Sequence, residues 1–424
     1  MKRFISIFLC ITLTALSAFS LFSCSKEKKN DGPVAYILAE KGNAYSLGLA
    51  ESFKFAYEDK GGSPTMETFS SGTTDFSEYF NRAIEIGAKV IFLPNTIATA
   101  ENLLNSAKKC GVNVPILAGD TWECESVLEA VKKTGLEVYF TTFFHESDTS
   151  TKVRDEFVTG FKKYLHDNSE YYEMNGANDR VTALSALGFD AYNTAMAAIR
   201  AAADEKGADL TSVDVATKLW DTEINGVCGK IVFDENGDPI KENVYIEKVN
   251  KDGSGFEFIK IQKVENNSEK GKSPEYDKMG FGIDKENKRI TIGVFEPTTG
   301  DNAAGGKQEL LGIMYANTLD KYITIGEDEY EVVLCVSDNG SLTEYAVTTA
   351  TKLVEARSII VIGSYGSSVS IEAAQTFEDA GIPAIGASCT SVDVTYTYEY
   401  YFRTTVSDSV EGEAMAEYAF ELIK

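Results

Sequence analysis

Short apolar runs recur along the chain with helix-length segments between them, and that alternation limits the folds open to it. The runs are 34–38, 90–93, 114–117, 138–140, 290–295, 332–336, 359–362 and 384–385. Leu49, Phe53, Ala56 and Tyr57 fall at i, i+4, i+7 and i+8, a stripe that one side of a helix can lay on a sheet. Ser341-Leu342-Thr343-Glu344 reads as a capping box opening a helix whose Val347, Ala350 and Val354 share a face. Strands and helices in strict alternation form parallel sheets covered by helices on both sides. The fold class is therefore α/β, and 424 residues call for two lobes.

Two segments break the pattern. Lys2 and Arg3 precede an uncharged apolar stretch over 4–23, followed by Cys24 and the polar Ser25-Lys26-Glu27-Lys28-Lys29, the build of an export signal. Leu21-Phe22-Ser23-Cys24 resembles a bacterial lipobox, which implies a leader over 1–23, a lipidated Cys24 and a tether over 24–32. Residues 264–289 are polar, charged and aperiodic, as flexible linkers are. Their core, 266–287, separates a block over 33–265 from one over 288–424.

Composition excludes several functions. Asp and Glu number 65 against 40 Lys and Arg, a formal charge of −25, so the chain lacks the excess of basic groups a nucleic-acid binder needs. Two histidines, His145 and His166, leave little for a histidine zinc site or a Ser-His-Asp triad. There is no G-x-G-x-x-G and no P-loop, and Asp234-Glu235-Asn236-Gly237-Asp238 is too short for a calcium loop and reads as a hairpin turn. No catalytic residue, metal or cofactor is expected. The cysteines beyond the leader form no disulfide framework, and Cys110 with Cys124 is the pair to test.

In open α/β sheets, ligands sit beyond the carboxyl ends of the strands. After 359–362 comes Gly363-Ser364-Tyr365-Gly366-Ser367-Ser368, a hydroxyl-rich turn opening a helix and suited to an anion. After 384–385 comes Gly386-Ala387-Ser388-Cys389-Thr390-Ser391, and after 114–117 comes Gly119-Asp120-Thr121-Trp122. Hydroxyls on one side and a carboxylate with a ring on the other suit a zwitterion with an apolar side chain. The same loops also fit plain turn and cap chemistry, Asp120 fits a cap for a helix over 126–133, and Trp122 fits lobe packing.

Other segments carry a resemblance: Asn43-Ala44-Tyr45-Ser46-Leu47-Gly48-Leu49-Ala50, Ala186-Leu187-Gly188-Phe189-Asp190-Ala191, Gly229-Lys230-Ile231-Val232-Phe233-Asp234, Ile292-Gly293-Val294 and Phe402-Arg403-Thr404. With the loops above, they resemble the branched-chain amino-acid-binding proteins, type I periplasmic solute-binding proteins of ABC importers. The block order is rotated. The block over 33–265 resembles the later part of the family domain, its second lobe plus part of the first, and 288–424 resembles the earlier part, mostly the first lobe. The resemblance implies a circular permutant whose old termini the linker joins; a truncated tandem pairing between chains is the rival.

The resemblance further implies that Ser367 and Thr390 bind the ligand carboxylate, that Ser388 offers its carbonyl to the ammonium, that Asp120 pairs with that ammonium, and that Tyr45 lines the second lobe, with Trp122 beside it. Gly305, Thr96-Ile97 and Ala186 stand where relatives carry aromatic residues, so leucine is not inherited as the ligand. Hinges are expected near 402–408, 140–143 and 231–234. The implied function is an extracytoplasmic, lipid-anchored monomer, facing periplasm or cell exterior, that closes on a small amino-acid-like ligand and delivers it to an ABC permease. A sensory or docking lipoprotein reporting to a receptor is the alternative.

Overall fold

The computed structural model describes residues 32–424; the leader, Cys24 and nearly all of the tether lie outside the described residues. All eight apolar runs are strands, divided between two sheets. The second lobe carries seven strands in the order Ser63–Phe69, Val34–Glu40, Val90–Leu93, Ile116–Ala118, Val138–Thr142, Asn243–Val249, Phe256–Lys263. The first lobe carries six, in the order Tyr322–Ile325, Asp328–Asp338, Arg289–Glu296, Ile360–Ile362, Ala384–Gly386, Tyr401–Arg403. Neighbours pair in parallel except at one edge of each sheet. There Tyr322–Ile325 with Asp328–Asp338, and Asn243–Val249 with Phe256–Lys263, are joined by turns too short for a parallel crossover.

Each lobe draws on both blocks. Helix Ala44–Asp59 buries Leu49, Ala50, Phe53 and Tyr57 and packs against helix Asp408–Leu422 from the far end of the chain. The Tyr57 and Phe420 rings lie 4.6 Å apart, and Lys60 Nζ is 2.8 Å from Glu417 Oε1. In the first lobe, helix Ala183–Lys206 of the early block packs on helix Ala303–Leu319 of the late one. Glycines allow this closeness: a Cβ on Gly188 would stand 2.3 Å from Glu309 O, and one on Gly312 would stand 2.0 Å from Ser185 O.

The chain passes between lobes beyond Thr142, between Ile231 and Asn243, and from Arg403 to Asp408. Two of these passages are tied together. The buried Arg403 donates from Nε to Asp238 Oδ1 at 2.6 Å and from Nη2 to Thr395 Oγ1 at 2.6 Å, and Lys241 Nζ donates to Thr404 O at 2.7 Å. Asn236-Gly237 forms the expected turn, with Gly237 N donating to Asp234 O at 3.1 Å.

Three expectations are corrected. Ser341 does not cap helix Thr343–Glu355: at φ 64° its hydroxyl turns to the 299–302 loop, donating to Thr299 O at 3.2 Å and accepting from Asn302 N at 3.0 Å. The buried face of that helix is Ala346, Thr349, Ala350 and Leu353, with Val347 exposed. The linker is pinned rather than free. Tyr276 OH accepts from Trp220 Nε1 at 2.9 Å and donates to Glu399 O at 3.1 Å, while Ser212 Oγ accepts from Phe281 N at 2.9 Å. Aromatic anchors hold a segment whose average composition is that of a tether. Cys110 and Cys124 are free thiols, as are Cys228, Cys335 and Cys389.

Candidate functional site

The carboxyl ends of strands from both sheets face one another across a cleft of about 260 Å³. Tyr45, Thr96, Asp120 and Thr121 line it from the second lobe; Asn302, Leu342, Tyr365, Ser367, Ser368 and Ser388 line it from the first. Ala44 N donates to Ser368 Oγ at 3.0 Å, a direct bond between lobes.

One end of the cleft presents acceptors. Asp120 opens the short turn Asp120–Trp122 after strand Ile116–Ala118 and is 5% exposed. Tyr45 OH donates to Asp120 Oδ1 at 2.9 Å, Thr121 Oγ1 donates to Asn95 O at 3.0 Å, and Ser388 Oγ donates to Glu309 Oε1. Each hydroxyl hydrogen is thus committed, which leaves the three oxygens as acceptors beside a carboxylate. Burial pushes Asp120 up to about 7, opposed by the Tyr45 hydrogen bond. Behind it Glu411, also raised by burial and by the nearby Asp120, accepts from Asp120 N at 3.0 Å and from the Thr141 hydroxyl.

The other end presents donors. Helix Ser367–Ala380 opens after Gly366 with no side chain capping it, so the N–H groups of its first turn have no partner within the helix. The Ser367 hydroxyl accepts from Ser391 N at 3.2 Å and keeps its own hydrogen to give. A carboxylate placed here meets backbone N–H groups, a hydroxyl and the positive end of a helix.

Four residues singled out in the sequence, Tyr45, Asp120, Ser367 and Ser388, therefore line the same cleft. Thr390 does not: it is fully buried behind the wall, its carbonyl accepting from Asp408 N at 2.8 Å. Trp122 is core, 0% exposed, with Nε1 donating to Asn95 O at 2.7 Å. A turn with about three residues per revolution sends residues two apart to different sides, so Asp120 and Trp122 part company. Ala186 is also core.

Tyr365 and Glu411 were missed. Tyr365 supplies the aromatic wall that Gly305 lacks, since a Cβ on Gly305 would stand 2.4 Å from Tyr365 Cε2. The signal was the glycine itself, at a position where a ring was expected.

Residues 12–254 and 289–422 match the sequence model of a family described as periplasmic binding protein. The chain belongs to the periplasmic binding protein family. Both matched stretches contribute to the cleft, Tyr45 and Asp120 from the first and Ser367 and Ser388 from the second. A curated relative, the amino acid binding protein of Pseudomonas aeruginosa, is 31% identical over 137 residues, which are 32% of this chain and 36% of that protein. Similar solved structures include the leucine-binding protein LivK of Thermotoga maritima, at 26% identity and TM-score 0.46, covering 55% of this chain and 61% of that one. LivJ of Streptococcus pneumoniae, solved with isoleucine, stands at 23% identity and TM-score 0.43, with the same coverage. The similarity thus spans less than two thirds of each of these proteins.

Proposed function

We propose that this periplasmic binding protein is an extracytoplasmic lipoprotein, anchored through Cys24, that closes its lobes on an amino acid or related small zwitterion and delivers it to an ABC permease. The observation that carries the reading is the polarity of the cleft: acceptors around Asp120 at one end, N–H and hydroxyl donors around Ser367 at the other. A solute with an ammonium and a carboxylate satisfies both ends and bridges the lobes, and differential contact of this kind is what shifts an open-closed equilibrium. The cleft of about 260 Å³ lies below the ~300 Å³ from which sites for drug-sized ligands begin, which favours a small solute. The names of the relatives above point the same way.

We also propose that 33–265 and 288–424 form one binding domain in rotated order, with 266–287 as the join. Helix Asp408–Leu422 lying on helix Ala44–Asp59, and the pinned path of the join, support this. A thermal-shift panel of α-amino acids tests the ligand class. A ligand held at a hundred times its Kd adds about 2.7 kcal/mol to the folded state, so a clear rise in Tm is expected with an α-amino acid and none with its decarboxylated or deaminated analogue. Equal shifts with those analogues would remove the two-ended grip.

A further inference from the structure

Two polar groups in the cleft wall are left without hydrogen-bond partners, one of them close enough to Asp120 and Glu309 to feel their charge. Tyr365 is 5% exposed, and its phenol oxygen has no hydrogen-bond partner among the described residues. Asn302, just ahead of helix Ala303–Leu319, is half-buried, and its amide oxygen is buried and equally unpartnered among them. Both residues line the cleft. Ser71, Thr96, Ser341 and Thr343 line it too, and beside the Tyr45 and Tyr365 rings only Leu342 and Val369 are large apolar contributors. A wall of this composition is a poor match for a purely aliphatic side chain, because a buried polar group left without a partner is costly.

We infer that the solute is an amino acid whose side chain ends in a carboxamide, which brings an N–H donor to the Asn302 amide oxygen and a carbonyl acceptor to the Tyr365 hydroxyl. This rests on the amino-acid reading above and narrows it. The orientation of the Asn302 amide does not matter, since a carboxamide carries both a donor and an acceptor and answers either face. At Tyr365 a carboxylate side chain meets the buried Asp120 and Glu309, while the Lys41 that also lines the cleft offers it a cation, so an aspartate titration beside the asparagine one separates the two. The corner also differs from an aliphatic pocket in its shape, because the Tyr365 ring fills the space over Gly305.

L-asparagine and L-leucine have nearly the same shape and differ in this chemistry, so calorimetric titration of the intact chain with each decides the matter. Asparagine is expected to bind at least about tenfold tighter, since sites built to hydrogen-bond a group reject analogues lacking it strongly. The ratio is expected to shrink severalfold in Tyr365→Phe and in Asn302→Leu. Leucine binding the unaltered protein as tightly as asparagine overturns the inference and leaves the amino-acid reading standing, as does a ratio unmoved in both variants. Failure of every α-amino acid to bind overturns both.

Discussion

In the function proposed above, Asp120 sets the chemistry at the scale of single residues. An ammonium needs it ionised, and burial holds its carboxyl at about 7 rather than the ordinary 3.8. The ionised fraction therefore falls as pH drops through 7. Affinity for an amino acid is expected to be level above about pH 8 and to weaken by as much as tenfold per unit on the acid side of about 7. Calorimetry from about pH 5 to 8 checks this, and Asp120→Asn should bind more weakly and flatten the profile. Asp120→Ala is expected to lose about 2–5 kcal/mol of binding, as when one partner of a buried charged pair is removed. Gly305→Ala pushes a methyl into the Tyr365 ring at a cost of about 1–3 kcal/mol, and adding Tyr365→Leu should recover part of it. That Tyr45, Asp120, Ser367 and Ser388 line one cleft was legible because each follows a strand or opens a helix at a sheet's carboxyl edge. Trp122 was misplaced because a tight turn rotates neighbours apart, and Tyr365 was overlooked because an exchange of bulk with Gly305 is a relation in space that one-dimensional spacing does not carry.

At the scale of elements, the molecule depends on how its passages and its join are fixed. Arg403 ties the passage from Arg403 to Asp408 to that between Ile231 and Asn243 through Asp238. Removing one partner of a buried pair leaves the other uncompensated, so Arg403→Ala is expected to cost about 3–5 kcal/mol in a urea titration. In the join, Tyr276 is the acceptor for the Trp220 indole N–H. Tyr276→Ala leaves that donor unpaired and should cost about 1–3 kcal/mol, with faster limited proteolysis within 266–287. Most of the eight apolar strands could be read from sequence because burial on both faces writes itself as an unbroken apolar run, whereas 332–336 is apolar yet half-buried, with Val336 exposed. Edge strands such as Ser63–Phe69 and Tyr322–Ile325 could not, being part-exposed and mixed in character. The pinning of the join was equally hidden, because a few anchoring residues such as Tyr276 and Phe281 do not change the average composition of a mainly polar segment.

At the scale of the whole molecule, burial raises many carboxyls together: Asp190 to about 6, Asp120 and Glu309 to about 7, Glu123 and Asp408 to about 8, and Glu247 to about 10. Unfolding returns each to the ordinary range near 4, so between about pH 4 and 8 the folded state holds protons that the unfolded chain has released. Stability is fully present below the unfolded values and falls as pH rises through the folded ones. The ligand-free protein is therefore expected to melt at a higher temperature near pH 5 than near pH 8, a difference that scanning calorimetry reads directly. The rotated order proposed above rests on motif order; that each lobe takes a helix from the other block was not legible in the sequence, since it depends on packing such as that between Ala44–Asp59 and Asp408–Leu422. The most direct test joins titration calorimetry with light scattering on the intact chain. One amino acid bound per monomer is expected. A chain that binds only as a dimer, or that binds no amino acid at all, would contradict a single cleft assembled from both blocks of one polypeptide.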